Sequence, residues 1–428
     1  MFCKFCGAQM EENTTFCANC NRENKEEPVK KNSALKIVLA VVAVVVLLAL
    51  LGAMVYYGLF GTLKPRANDV QYKDNYTVAE EALQSELDKT VVTLGQNKLT
   101  NEQLQLFYWM QIYNYGYYYD CNFNKPLNEQ IMDADTGKTW QQYFLETALT
   151  SWHQYQTLTQ MAQDAGYKLP EEYQKVLDAL PENAEKNAKD GGFASVAEML
   201  EADFGKGVTF ETYQHFFDLF YVGNLYFSDM VEKLEVTDAE IEAYYEANKA
   251  SLKTDWGKTV TKESGLLVDV RHVLIQPEGG TKNSDGTTTY TDAQWEACRE
   301  KAQKLYDQWL SGDADETAFG DLAYKNSADS NKGEGGIYRD ISKGVMVEAF
   351  ENWCFDESRK YGDHGLVKTE YGYHIMFFVG AEEGWVRLSR NGALSDKADS
   401  LLADILKEHP MDVNYKAIVL GDVNISGS

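Results

Sequence analysis

The sequence predicts an α+β protein assembled from several parts, and three observations carry that reading. Hydroxyl-x-x-Glu/Gln signatures open long stretches with helical apolar spacing; one segment between such stretches switches to strand-like runs; and 428 residues allow two to four domains at about 100 to 200 residues each. Charged residues make up 25% and hydrophobic residues 44%, so neither a wholly disordered chain nor a multi-span membrane protein fits. The net charge of −26 opposes a phosphate backbone, which excludes nucleic acid as the main partner. The charge is uneven: residues 1–36 hold six basic and five acidic side chains, leaving −27 for the rest.

The head reads CKFC, ten residues, then CANC. Cys3, Cys6, Cys17 and Cys20 form two CxxC knuckles whose four sulfurs suit tetrahedral zinc, with Gly7 and Asn21 supplying the turns. The pattern resembles the short zinc-ribbon family, which implies a structural Zn2+ within residues 1–24 and a docking partner the residues do not identify. A redox reading of the CxxC pairs lacks the βαβ surroundings that chemistry needs. Cys121, Cys298 and Cys354 are scattered, which makes no disulfide framework.

A basic linker, 25–36, leads into Ile37–Phe60, 24 residues without a charge. At 1.5 Å per residue that is roughly 36 Å of helix, enough to span a bilayer with some tilt. It is long for a signal-peptide core, and a folded-looking motif precedes it. Arg22, Lys25, Lys30, Lys31 and Lys36 lie before the span, against Lys64, Arg66 and Lys73 after it, which places the N-terminus inside. Free thiolates are also better kept in a reducing compartment. The expectation is a single-pass membrane protein with its N-terminus cytoplasmic and its bulk extracytoplasmic.

After a linker at 61–77, residues 78–262 read as mostly helical. Capping boxes at Thr100/Gln103 and Thr237/Glu240 fix two helix starts, and one at Thr291/Gln294 fixes a third further on. The aromatic stretch Leu104–Tyr119 predicts a core helix, with some rings as an alternative client-binding surface. Thr139–Gly166 and Phe210–Leu234 have the spacing of long packed helices; His153 and His215 within them lack a partner cluster and are assigned no chemistry.

At Leu266 the pattern changes to LLVDVRHVLIQP, a strand ended by Pro277. A helix follows with Trp295, Cys298, Ala302, Leu305 and Trp309 on one face, then a β-run, GLVKTEYGYHIMFFVG, whose alternation is expected to expose one histidine. RHVLI (Arg271–Ile275), NSADS (Asn326–Ser330), Gly335-Gly336, GVMVEAF (Gly344–Phe350) and TEYGYHI (Thr369–Ile375) occur in that order. These five blocks resemble the parvulin-type peptidyl-prolyl isomerases, and among them the extracytoplasmic PrsA/SurA foldase group, over about 110 residues. The resemblance implies a parvulin α/β domain at 266–382, inserted in a helical chaperone domain made of 78–262 and 383–428. LGQNKLTNEQLQLFYW and VTDAEIEAYYEANKASL resemble the corresponding flanks of those foldases.

Carried over, the family's histidines match His272 and His374, its acidic or cysteine position Asp329, its hydroxyl Thr369, and its proline pocket Met346 and Phe350, taken to share one face of a helical turn. One departure stands out: where the family usually has Gly-Gly-Asp-Leu-Gly and an aromatic, this chain runs Gly335-Gly336-Ile337-Tyr338-Arg339-Asp340-Ile341, which alters a pocket wall. Gln276, Pro277 and Glu278 follow the first strand, so the basic cluster of phosphate-specific members is missing.

Rotation about an X-Pro amide faces a barrier of roughly 18–20 kcal/mol and breaks no bond, so no nucleophile and no catalytic cofactor are expected. An apolar slot and a polar floor suffice. The expected function is that of a membrane-anchored foldase isomerising X-Pro bonds in unfolded secreted or envelope polypeptides. The alternative is a holding chaperone whose degenerate parvulin domain clamps clients, with His272 and His374 a satisfied pair bracing the sheet.

Overall fold

The computed structural model describes residues 73–115, 121–284 and 286–422. The four-cysteine head, the basic linker and the apolar span at 37–60 lie outside the described residues. Among those described, no helix is long and apolar enough to cross a membrane, and no group of three His, Cys, Asp or Glu side chains could hold a metal ion.

A short helix, α1 (Glu80–Gln84), precedes a hairpin of β1 (Thr90–Leu94) and β2 (Asn97–Thr100), turned at Gly95 with φ of 60°. The Thr100/Gln103 box then starts α2 (Asn101–Tyr115): Gln103 N–H donates to Thr100 Oγ1, and Thr100 N–H to Gln103 Oε1. After a small hairpin of β3 (Ile131–Asp133) and β4 (Lys138–Thr139), α3 (Trp140–Asp164) opens on a box at Thr139/Gln142 that the sequence reading passed over. Helices α4 (Glu171–Asp178), α5 (Leu180–Asp190) and α6 (Val196–Phe204) lead to α7 (Phe210–Val231) and α8 (Asp238–Asn248).

Helices α2, α3 and α7 pack around one core, in which Phe107, Tyr108, Trp109, Phe144, Trp152 and Phe216 are buried. The aromatic stretch of α2 is therefore core from Leu104 to Trp109, each buried ring adding about 1.5–3 kcal/mol by leaving water.

The chain then builds a second body. Strand β5 (Leu266–Ile275) is followed by the two-residue strands β6 (Thr281–Lys282) and β7 (Thr288–Thr289), and by α9 (Asp292–Leu310) and α10 (Glu316–Asn326). Next come β8 (Ile337–Ile341), α11 (Glu348–Cys354), β9 (His364–Thr369) and β10 (Gly372–Glu383). The antiparallel sheet has the order β8-β5-β10-β9.

Side chains alternate faces along a strand. Val273, Ile275, Ile375 and Phe377 meet Cys298, Ala302 and Trp309 of α9 and Phe319 of α10. Cys298 is thus a core residue, its Sγ 3.0 Å from the Ile275 carbonyl. The other parity, Val268, Val270, Met376 and Phe378, meets Phe350 and Cys354 of α11. His272 and His374 share that parity, and so face α11.

Strand β10 runs directly into α12 (Gly384–Glu408), whose Arg387 reaches Asp269 at 2.7 Å and Asp340 at 2.9 Å. Further along, Ala398, Leu402, Ile405 and Leu406 pack on Leu158 of α3 and Phe227 of α7. Strand β11 (Asp412–Val413) pairs antiparallel with β1, and Ile418 and Leu420 enter the helical core. Asn101, fully buried, ties this return: its Nδ2 donates to the Ala417 and Glu86 carbonyls, and its Oδ1 accepts from Val419 N–H.

Candidate functional site

The site begins with strand register. Met376 stands opposite His272 and Leu274 opposite His374, so the two histidines are diagonal neighbours on one face of β5 and β10. Their Nδ1 atoms are 3.1 Å apart. On the far side of His374, Nε2 lies 2.9 Å from Thr369 Oγ1, which also accepts the Tyr371 N–H at 3.1 Å.

The NSADS segment is laced to β5. Ser327 Oγ accepts the N–H groups of Leu274 at 3.1 Å and of Asp329 at 3.2 Å, while Ala328 N–H donates to the Leu274 carbonyl at 2.9 Å. Asp329 then caps a 3-10 turn, Ser330–Glu334, by accepting Asn331 N–H at 3.1 Å. Its Oδ2 lies 3.9 Å from His272 Nε2, beyond hydrogen-bond length.

The Gly-Gly pair closes the turn. Gly336 has φ of 70°, its carbonyl accepts His272 N–H at 2.8 Å, and a Cβ there would lie 2.2 Å from the His272 carbonyl oxygen. Only glycine permits that approach.

Phe350 stands edge-on to both imidazoles, with ring centroids 5.3 Å from each. Met346 packs in the same apolar cluster. Their relation differs from the one expected: α11 starts at Glu348, so Met346 belongs to the preceding loop and does not share a helical turn with Phe350. Val345 and Val347, β-branched, flank it, and Val347 caps the helix without a side-chain bond.

The expected exposure of one histidine is likewise corrected. His272 is 1% and His374 5% exposed, because α11 and the Asp329 turn cover that face of the sheet. Burial disfavours the imidazolium and pulls both rings below their ordinary value of 6.5, a pull the Asp329 carboxylate opposes only in part. The pair is therefore neutral at pH 7.

Two residues absent from the sequence-derived set complete the cluster. Tyr338 OH donates to both oxygens of Asp329 at 3.1 Å, and its ring lies 4.6 Å from His272. Asn331 Nδ2 is 3.2 Å from His272 Nε2. Tyr338 sits where the chain leaves the usual motif, and that departure was the available signal. Asn331 carried none, since its contact crosses a turn. Outside the cluster, Trp256 meets Tyr338 edge to face at 5.2 Å and is 38% exposed. His153 reaches the His409 carbonyl, and His364 bonds Tyr306.

The arrangement is a neutral imidazole pair with a hydroxyl at one end, a carboxylate beside the other, and an aromatic ring against both. It offers no nucleophile activated by a base, and suits chemistry in which no bond breaks.

Residues 257–379 match the family model for the PPIC-type PPIase domain, so the chain contains a peptidyl-prolyl cis-trans isomerase domain. Over a longer stretch it is similar to PrsA foldases. The foldase protein PrsA of Clostridium perfringens is 26% identical over 257 residues, covering 58% of this chain and 60% of that protein. That of Halalkalibacterium halodurans is 24% identical over 262 residues, covering 60% and 65%. The chain thus spans about three fifths of the length of these curated relatives. Among solved structures, PrsA from Bacillus subtilis matches at 20% identity, covering 63% of this chain and 86% of that one, with a TM-score of 0.28.

Proposed function

We propose that this chain is an extracytoplasmic foldase, held to the membrane by the helix at 37–60, whose parvulin domain isomerises X-Pro bonds in unfolded secreted or envelope polypeptides. The observation that carries the reading is the His272–His374 pair, linked at 3.1 Å and roofed by Phe350, within the segment that matches the isomerase family.

In this reading Phe350, Met346 and Tyr338 receive the proline ring in an apolar slot that excludes water. Water stabilises the charge-separated form of the amide, with negative charge on oxygen and a C–N double bond. Asp329, 17% exposed at the edge of the slot, disfavours charge on a nearby carbonyl oxygen and so weakens that double bond. His272, His374 and Thr369 form the polar floor that fixes the shape of the slot, without moving a proton. The helical body, made of 78–262 and 383–428, holds clients. Cys3, Cys6, Cys17 and Cys20 would hold one structural Zn2+ on the cytoplasmic side for an unidentified partner.

Isomerisation of a short X-Pro peptide by the full chain in detergent, beside His374→Ala, tests the reading. Acceleration lost in a folded variant supports it, and an unchanged rate sinks the site assignment. The near-complete burial of both histidines favours a second reading, a client clamp whose imidazole pair only braces the sheet. Suppression of client aggregation that survives in a parent chain without turnover would select it.

A further inference from the structure

Asn331 sits in the 3-10 turn beside His272, and its side-chain amide has one fixed orientation. The Ile337 carbonyl, which can only accept, lies 3.3 Å from Nδ2. Turning the amide over would set Oδ1 against that carbonyl and leave two buried N–H groups unpaired. As it stands, only Oδ1 is buried without a partner.

With Nδ2 as donor, His272 Nε2, 3.2 Å away, presents its lone pair, and the ring hydrogen of His272 resides on Nδ1. That hydrogen points to His374 Nδ1 at 3.1 Å, so His374 carries its own hydrogen on Nε2 and donates it to Thr369 Oγ1 at 2.9 Å. Donation therefore runs one way, from Asn331 through His272 and His374 to Thr369. The reversed chain would end with His272 Nε2–H on Asp329 Oδ2, across 3.9 Å.

We propose that Asn331 is a positioning residue that selects the first direction and keeps the imidazole hydrogen off Asp329. The carboxylate then takes hydrogen bonds from Tyr338 OH and, at 3.5 Å, from Ser330 Oγ, but none from an imidazole, and keeps its full charge toward the substrate carbonyl. The consequence for catalysis rests on the isomerase reading, but the tautomers do not.

The test is nitrogen-15 NMR of the histidine-labelled full-length chain in detergent. Multiple-bond correlations assign the hydrogen in each of its six imidazoles, with His272→Gln identifying the two signals of interest. The parent is expected to show His272 protonated on Nδ1 and His374 on Nε2. Asn331→Asp puts an acceptor where the donor stood and is expected to reverse both, slowing turnover about tenfold; the unchanged His364 signal reports that the fold is intact. A parent with His272 protonated on Nε2, or tautomers unmoved in a folded Asn331→Asp, overturns the proposal. Should that variant not fold, the parent spectrum alone decides. A parent with the expected tautomers but no turnover supports the role of Asn331 and overturns the isomerase reading instead.

Discussion

The Nδ1 atoms of His272 and His374 lie 3.1 Å apart on adjacent strands, buried beneath Phe350, and burial holds both rings neutral. Two imidazolium rings could not share that contact.

Stability should therefore fall in acid. Each histidine has a folded-state value below its ordinary 6.5, so the unfolded chain takes up protons first as pH drops. The contribution is fully present above pH 6.5 and declines below it, by up to about 2 kcal/mol per histidine at pH 5. Urea melts of the parent and His272→Gln from pH 7.5 to 5 check this. The variant should show the shallower slope.

Gly336→Ala should cost at least about 3 kcal/mol, since its Cβ would meet the His272 carbonyl oxygen at 2.2 Å. Gly344→Ala is the control: φ is 82° there, but nothing lies within 4 Å, so only backbone strain of about 1 kcal/mol is expected. Equal losses in thermal melts would contradict the close-approach account.

Tyr338→Phe keeps the ring against His272 and removes the donor to Asp329. A loss of about 1.5 kcal/mol in stability and a several-fold slower turnover are expected, because a hydrogen bond to a charged group goes. An unchanged rate on X-Pro peptides would remove the hydroxyl from the site.

Arg387→Met leaves Asp269 and Asp340 together without their shared cation, each side chain 17% exposed. Burial already raises Asp340 above its ordinary value, so in the variant it should take up a proton more readily. The expected cost is about 2 kcal/mol at pH 7, less than for a fully buried pair. The gap between variant and parent should narrow as pH falls toward 5, because protonation relieves the repulsion between the two carboxylates.

Much of this was legible in the residues, for physical reasons. The order of five motif blocks singled out His272 and His374, while the register that sets them on one face came only with the sheet, and hydroxyl-x-x-Gln/Glu spacing marked the starts of α2, α8 and α9. Cys298 was recognisable as core from its helical face alone. Burial of the histidines was not legible, because it depends on how far α11 and the Asp329 turn close over the sheet. The start of α11 was misjudged for want of a capping hydroxyl near Met346. Asn331 escaped because it acts across a turn, which no periodicity records, and Tyr338 was marked only by the departure of its segment from the usual motif. The head and span at 1–60 rest on spacing and hydropathy alone.

The most direct measurement is the isomerisation rate of a short X-Pro peptide with the full chain in detergent, parent against Asp329→Asn, with circular dichroism confirming both are folded. Uncatalysed exchange takes about tens to hundreds of seconds, and the parent should shorten it well below that. The variant, isosteric but uncharged, should lose at least about tenfold of the acceleration. No acceleration by the folded parent, or an equal one by Asp329→Asn, would contradict the account.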